Sequence, residues 1–237
     1  IGASLTFYGM AVVRQFEAMG TYCLNSAASI GVSRDKLAAP QILARHGIPM
    51  PTTAFANSPH DTNSLLALVG GAPTVLKLLQ STHGRGVVLA ETKKAGEAVI
   101  SAFQGLEANF IAQEFVKEAA GSDVRCFVVG KRVVGAMLRT AGYDDFRSNL
   151  LAGGSTTKVT LSKEEKLIAI KSVNVLGLTV AGVDLIRTET GAKILEINSS
   201  PSLEGLEKTA KKNVAAKIIG HIENNVSSTV WQKQRKR

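Results

Sequence analysis

Residues 181–200 read AGVDLIRTETGAKILEINSS, and this stretch decides the fold. Two strand-like runs, TVAGVDLIR and AKILEIN, flank the turn TETG and predict a β-hairpin. Glu196 and Asn198 are two apart on the second strand, so their side chains leave one face. Asp184 lies on the first strand, across a short turn, where it can sit opposite that pair. Val183, Leu185, Leu195 and Ile197 are apolar, which predicts a half-buried hairpin. Two carboxylates about 4 Å apart repel by roughly 4 kcal/mol at an effective dielectric near 20. A shared proton, a basic partner or a cation must offset that repulsion. Oxygen donors completed by an amide suit Mg²⁺ rather than zinc. A solvated strand face carrying Asp, Glu and Asn explains the spacing equally well.

Outward from this hairpin, the chain mixes helices with antiparallel strands. Ser162 and Glu165 form a capping box before an amphipathic helix ending near Gly177. DVRCFVVGKRVVGAMLR predicts a second hairpin turning at Gly130–Lys131, and FIAQEFV (Phe110–Val116) a strand before it. TVLKLL (Thr74–Leu79) and VVLAE predict two strands joined by the glycine-containing turn QSTHGRG. Ser58, Pro59 and Asp61 mark a helix start that Gly70–Gly71 end. A helix is expected over SRDKLAAPQILARHG, capped by Ser33, stopped by Gly47 and kinked at Pro40. Further helices are expected at about Lys93–Gln104 and Lys211–Asn224, and a short strand at TTAFA. Helices and hairpins do not alternate strictly, so antiparallel α+β lobes fit better than a doubly wound parallel sheet.

Several other residues carry chemistry. Lys77, on the same side as Val75 and Leu79, needs an anionic partner or bears a desolvation cost. That partner is a nucleotide phosphate or an internal acid, unless the chain reaches solvent. Gly84 and Gly86 flank Arg85 in a turn able to offer N–H donors to phosphates, although it is no Walker loop. QEFVKEAAGSD leaves a strand where backbone groups can meet an adenine edge and Asp123 a ribose hydroxyl. Arg125, Arg139 and Arg147 are candidates for phosphate or carboxylate contacts. His46, His60, His83 and His221 form no ligand spacing, so hydrolytic chemistry has little support.

The 237 residues are 45% hydrophobic and 20% charged, an ordinary globular composition. No apolar run reaches the roughly 18 residues of a membrane span. Cys23 and Cys126, far apart and the only two cysteines, exclude a disulfide framework and fit a cytoplasmic setting. Of the net charge of +9, the last twelve residues carry +4 (Lys233, Arg235, Lys236 and Arg237), which leaves +5 for the rest. A positive body favours anionic partners such as a nucleotide, an acidic peptide or RNA.

In order along the chain, LTFYG, SRDKLAAPQILARHGI, HDTNSLLALVGGAP, STHGRGVVLAE, DFRSNL, GVDLIR and EINSSPSLEGLE resemble the ATP-grasp superfamily, and within it the RimK-type α-L-glutamate ligases. The resemblance runs from about Phe7 to Glu223. It implies an ATP-grasp fold, two α+β lobes with ATP between them, over residues 34–225 (lobes 34–115 and 116–225). Residues 1–33 would then be the remnant of a largely missing N-terminal pre-ATP-grasp domain, and 226–237 a basic tail. It implies Lys77 on the phosphates, Glu114 and Phe115 at the adenine, and Asp123 at the ribose. Arg147, Ser148 and Asn149 would lie near the phosphates, with Arg147 and Lys77 catalytic. Asp184, Glu196 and Asn198 match the family's ligands for two Mg²⁺ (or Mn²⁺) ions. The implied activity joins glutamate to a carboxyl-terminal glutamate of a ribosomal protein, or builds poly-α-glutamate, through an acyl phosphate. The implied partners are glutamate and an acidic peptide, with room for a homo-oligomer. The stretch LRTAGYDDFRSN is poorer in basic residues than these ligases usually are, which opens substrate choice to another amino acid, with a carrier protein or cofactor as acceptor. The basic tail KQRKR supports the remaining alternative, an inactive nucleotide- or RNA-binding protein.

Overall fold

In the computed structural model, the described residues are 6–55, 62–79, 86–119, 121–142, 146 and 153–226. Three helices come first: α1 (Thr6–Ala18), α2 (Ala27–Arg34) and α3 (Ala38–Arg45). The single helix expected from Ser33 is therefore two. Ser33 lies inside α2 and donates its hydroxyl to the Ile30 carbonyl, while Ser26 is the N-cap. Asp35 breaks the run, its Oδ1 accepting from the N–H groups of Leu37 and Ala38. Pro40 falls in the first turn of α3, where its missing N–H has no intrahelical acceptor to lose. Gly47 ends α3 at φ 63°, as its place in the sequence predicts.

The first sheet contains β1 (Thr53–Ala54), β2 (Thr74–Leu78), β3 (Val87–Ala90) and β4 (Phe110–Glu114), in the antiparallel order β1-β4-β2-β3. Helices α4 (Thr62–Leu68) and α5 (Lys93–Gly105) cover one face with a core of Leu65, Leu66, Leu76, Ile100 and Phe110. Ser58, Pro59 and Asp61, expected to start α4, lie outside the described residues.

The second sheet is larger. It contains β5 (Ser122–Val129), β6 (Arg132–Thr140), β7 (Ser155–Lys158), β8 (Val180–Thr188) and β9 (Gly191–Asn198), in the antiparallel order β7-β6-β5-β8-β9. Alternation along the strands sorts its side chains into two faces. Val124, Cys126, Val183, Leu185 and Ile197 pack under α6 (Lys163–Val175) and α3. On the opposite face Phe127, Val129, Met137 and Val180 pack under α7 (Glu204–Ala210) and α8 (Val214–Asn225). The same face continues past those apolar residues to Arg125, Arg139 and Asp184, so its far end is polar. The terminal helix expected over Lys211–Asn224 is α8, which starts three residues later; α7, just before it, was not expected. Lys211 takes a left-handed conformation (φ 51°) that ends α7, and Asn213 caps α8 by accepting from Ala216.

The two sheets are tied along one edge. The Ile194 N–H donates to the Pro49 carbonyl at 2.8 Å. Lys193 on β9 holds both oxygens of Glu114 on β4 at 3.1 Å, and Glu114 also accepts from the Thr52 N–H.

The capping box at α6 is present as read from the sequence. Ser162 Oγ accepts from the Glu165 N–H, Glu165 Oε2 accepts from the Ser162 N–H, and Arg187 Nε donates to Glu165 Oε1 at 2.6 Å. Burial raises the Glu165 pKa, but Arg187 and the Ser162 N–H outweigh it and leave it below its ordinary value. Its contribution is present at neutral pH and is lost as pH falls through that lowered pKa. Glu165→Ala is expected to cost about 2–3 kcal/mol of unfolding free energy at pH 7. Urea titration measures this, and a loss below about 0.5 kcal/mol would contradict it.

Candidate active site

Strand register builds the polar end of the second sheet. Asp184 on β8 is paired directly with Glu196 on β9 and, on its other side, with Arg125 on β5. Asp123 on β5 is paired with Arg139 on β6. Cross-strand neighbours of this kind meet side chain to side chain. Asn198, two residues beyond Glu196, leaves the same face opposite Gly182. A Cβ on Gly182 would lie 2.8 Å from the Pro201 side chain, so only glycine admits the Ser200–Pro201 turn this close to the strand.

Of the ways to offset carboxylate repulsion left open by the sequence, the structure shows a basic partner. Arg125 grips Asp184 with two parallel bonds of 2.6 Å, from Nε to Oδ1 and from Nη2 to Oδ2. Arg139 Nη2 adds a third, to Oδ2 at 2.7 Å. Arg139 also forks onto both oxygens of Asp123, through Nε at 2.6 Å and through Nη2. Asp123, Arg139 and Asp184 are all buried. Burial pushes the Asp184 pKa up, yet the charges of Arg125 and Arg139 hold it below the usual carboxylate range.

Glu196, by contrast, is exposed. Two lysines approach it from the other structural layers. Lys77 on β2 donates to Gln113 Oε1 at 2.6 Å, and Gln113 Nε2 donates to Thr53 Oγ1 at 2.9 Å, which fixes the amide with its oxygen toward the lysine. Lys36, from the connection between α2 and α3, donates to the carbonyls of Leu78 and Leu79 at 3.0 Å. Burial lowers the pKa of both lysines, and the Glu196 charge opposes that in each.

Glu114 and Phe115 stand where the chain crosses from the first sheet to the second. Phe115 meets Phe146 edge-on, with ring centroids 6.4 Å apart. Beside them is a cavity of about 450 Å³ lined by residues including Thr52, Leu68, Pro73, Glu114, Phe115 and Lys117. Neither Lys77 nor Glu196 lines it, so it borders only the Glu114 end of the site. Arg147, Ser148, Asn149 and residues 80–85 lie outside the described residues. The Gly86 carbonyl accepts from the Leu78 N–H at 2.8 Å.

Among the described residues no three His, Cys, Asp or Glu side chains gather into a metal cage. A cation here would take Asp184, Glu196 and the amide of Asn198. That donor set fits Mg²⁺, which uses one or two carboxylates plus substrate phosphates and keeps several waters. Sequence reasoning missed Lys36, Gln113 and Lys193. A lone lysine or glutamine carries no local pattern, and each acquires its place only through contacts distant in sequence.

Comparison with known proteins completes the assignment. The RimK-like ATP-grasp domain matches residues 33–222, and the RimK PreATP-grasp domain matches residues 1–30. That second match qualifies the expectation of a largely missing N-terminal domain, because part of it is present. A probable alpha-L-glutamate ligase of Aliivibrio fischeri (strain MJ11) is 55% identical over 228 residues, covering 96% of this chain and 76% of that protein. Among solved structures, the ATP-grasp ligase PsnB, complexed with a phosphomimetic variant of its minimal precursor, Mg and ADP, superimposes with a TM-score of 0.71. It is 22% identical, over 92% of this chain and 67% of PsnB. A RimK domain ATP-grasp protein of Sphaerobacter thermophilus DSM 20745 gives 0.70 at 23% identity, over 90% of this chain and 76% of that one. The two sheets have the ATP-grasp fold, no described helix is long and apolar enough to cross a membrane, and the chain belongs to the RimK-like ATP-grasp family of ATP-dependent carboxylate–amine ligases.

Proposed function

We propose that this chain adds glutamate to a terminal carboxylate, using ATP and a divalent cation. The observation that carries the reading is Glu196 paired with Asp184 on the second sheet, within the field of Lys36 and Lys77. Carboxylates for a cation and lysines for phosphates meet there between two sheets. Glutamate comes from the 55% identity to an alpha-L-glutamate ligase. The acceptor is an acidic peptide ending in glutamate, with a ribosomal-protein carboxyl terminus or a growing poly-α-glutamate as the leading choices.

In this reading Lys77 and Arg147 neutralise the phosphates, with Ser148 and Asn149 beside them. Glu114 and Phe115 present backbone to the adenine; Asp123, the ribose candidate, is buried with both oxygens on Arg139 and would have to release one to meet a hydroxyl. Asp184, Glu196 and Asn198 would hold one or two Mg²⁺ or Mn²⁺ ions, which supply charge stabilisation to phosphoryl transfer when bound. The acceptor carboxylate is activated as an acyl phosphate, and the amino group of glutamate displaces the phosphate. No enzyme nucleophile is needed, because orientation and charge do most of the work in such transfers.

Mass spectrometry tests this. The protein is incubated with ATP, Mg²⁺, glutamate and a peptide ending in glutamate, and stepwise glutamyl additions are expected. Strict dependence on a different amino acid would overturn the substrate assignment.

A further inference from the structure

Asp184 is asked to do two things that compete. As a metal ligand it must turn a lone pair toward a cation. In this structure its carboxylate is already held by three guanidinium hydrogen bonds. Oδ2 accepts two of them, from Arg125 and Arg139. Oδ1 accepts one, from Arg125 Nε, and keeps capacity for one more partner.

The surrounding charges point the same way. Three carboxylates (Asp123, Asp184 and Glu196) stand against four cationic side chains (Lys36, Lys77, Arg125 and Arg139), which leaves the described cluster at +1. That is not the negative surplus that draws a free dication out of water, and Mg²⁺ gives up its waters reluctantly. A polyphosphate brought to the lysines reverses the sign and supplies oxygen ligands of its own.

We propose that Arg125 and Arg139 are positioning residues that compete with a cation for the Asp184 carboxylate, so that the site accepts a divalent cation only together with a polyphosphate. The proposal rests on the reading of Asp184, Glu196 and Asn198 as the metal set. Arg139, forked onto Asp123, stays in place. Arg125 has 17% of its side-chain surface exposed against 9% for Arg139, and it is the guanidinium that gives way.

Mn²⁺ is the probe, with bound ion read by electron paramagnetic resonance on the full chain. Without nucleotide the wild type is expected to show no saturable binding up to about 1 mM, a weak-binding threshold. With ADP present, and a matched protein-free ADP control, a bound signal should appear. Arg125→Met removes one positive charge and frees Oδ1, and should strengthen binding of Mn²⁺ alone about tenfold or more. Circular dichroism establishes that this variant is folded, and the wild-type comparison stands without it. Tight binding of Mn²⁺ alone to the wild type would overturn the proposal and leave the metal site intact. Absence of bound Mn²⁺ with and without ADP would instead overturn the metal assignment beneath it.

Discussion

Glu196→Ala is expected to lower ATP-dependent ligation at least about a hundredfold, the scale on which loss of one charge-stabilising group acts on a transition state. The same substitution should leave stability within about 0.5 kcal/mol of wild type, as surface changes usually do. Both halves follow from position. Glu196 projects from β9 as an exposed residue on the face opposite the Ile194 and Ile197 core. It is the carboxylate nearest to being available for a cation, because Asp184 across the strand is already shared between two arginines. Removing it takes from Lys36 and Lys77 a carboxylate charge that opposes the effect of their burial, and leaves the cation with one carboxylate. Coupled-enzyme measurement of glutamate-dependent ADP release, beside a urea titration, reads the two effects separately. Turnover within threefold of wild type would remove Glu196 from the chemistry.

Arg139→Met should act in the opposite manner, on the fold before the reaction. Its guanidinium joins two buried carboxylates, and a methionine of similar length takes its ion pairs from both Asp123 and Asp184 while leaving Arg125 on Asp184. Breaking a buried pair by deleting one member costs about 3–5 kcal/mol, since the remaining charge stays desolvated. Asp123→Asn in the same chain should restore part of that loss, because a neutral amide tolerates the site better. The sign of the pH dependence follows from Asp184. Its folded pKa is depressed, so its stabilisation is complete above the unfolded value of about 3.9 and disappears as pH falls through the folded value. Weakening that depression moves the onset of acid unfolding to higher pH in the variant. A loss below about 1 kcal/mol at pH 7 would show that the network contributes nothing to the folded state.

Features with a local cause were legible in the sequence. The hairpin around TETG, the hairpin turning at Gly130 and the capping box of Ser162 and Glu165 depend on residues within a few positions of one another. The turn alone would set Asp184 opposite Leu195; a register shift between Asp184 and Leu185 brings Glu196 there instead, and no local signal in the sequence announces that bulge. Helix ends were less so. Ser33 looks like a cap, but Asp35 two residues later competes for the same job with better geometry and wins. Lys211 gives no local sign of its left-handed backbone, which with the Asn213 cap separates α7 from α8. The partners of Asp184 could not be read. Arg125 is 59 residues away and Arg139 is 45, and nothing in spacing says which of several arginines will face which acid. The β5–β8 pairing, which no local pattern announces, is what sets Arg125 opposite Asp184. The phosphate-side expectations for Arg147, Ser148 and Asn149 remain proposals about residues outside those described.

The tie between Lys193 and Glu114, with Ile194 bonded to Pro49 beside it, has a mechanical meaning. Two stiff plates joined along one margin behave like the covers of a book, with this edge as the spine. Rotation about it leaves Glu114 and Phe115 almost still and carries Lys77 along an arc over Glu196 once the Lys36 bonds to the Leu78 and Leu79 carbonyls release. The Glu114 end is thus the bearing, and the Lys77 end is the jaw, latched by Lys36. Lengthening the spine by cutting the Lys193 contact would loosen the bearing while leaving every residue of the jaw in its own sheet.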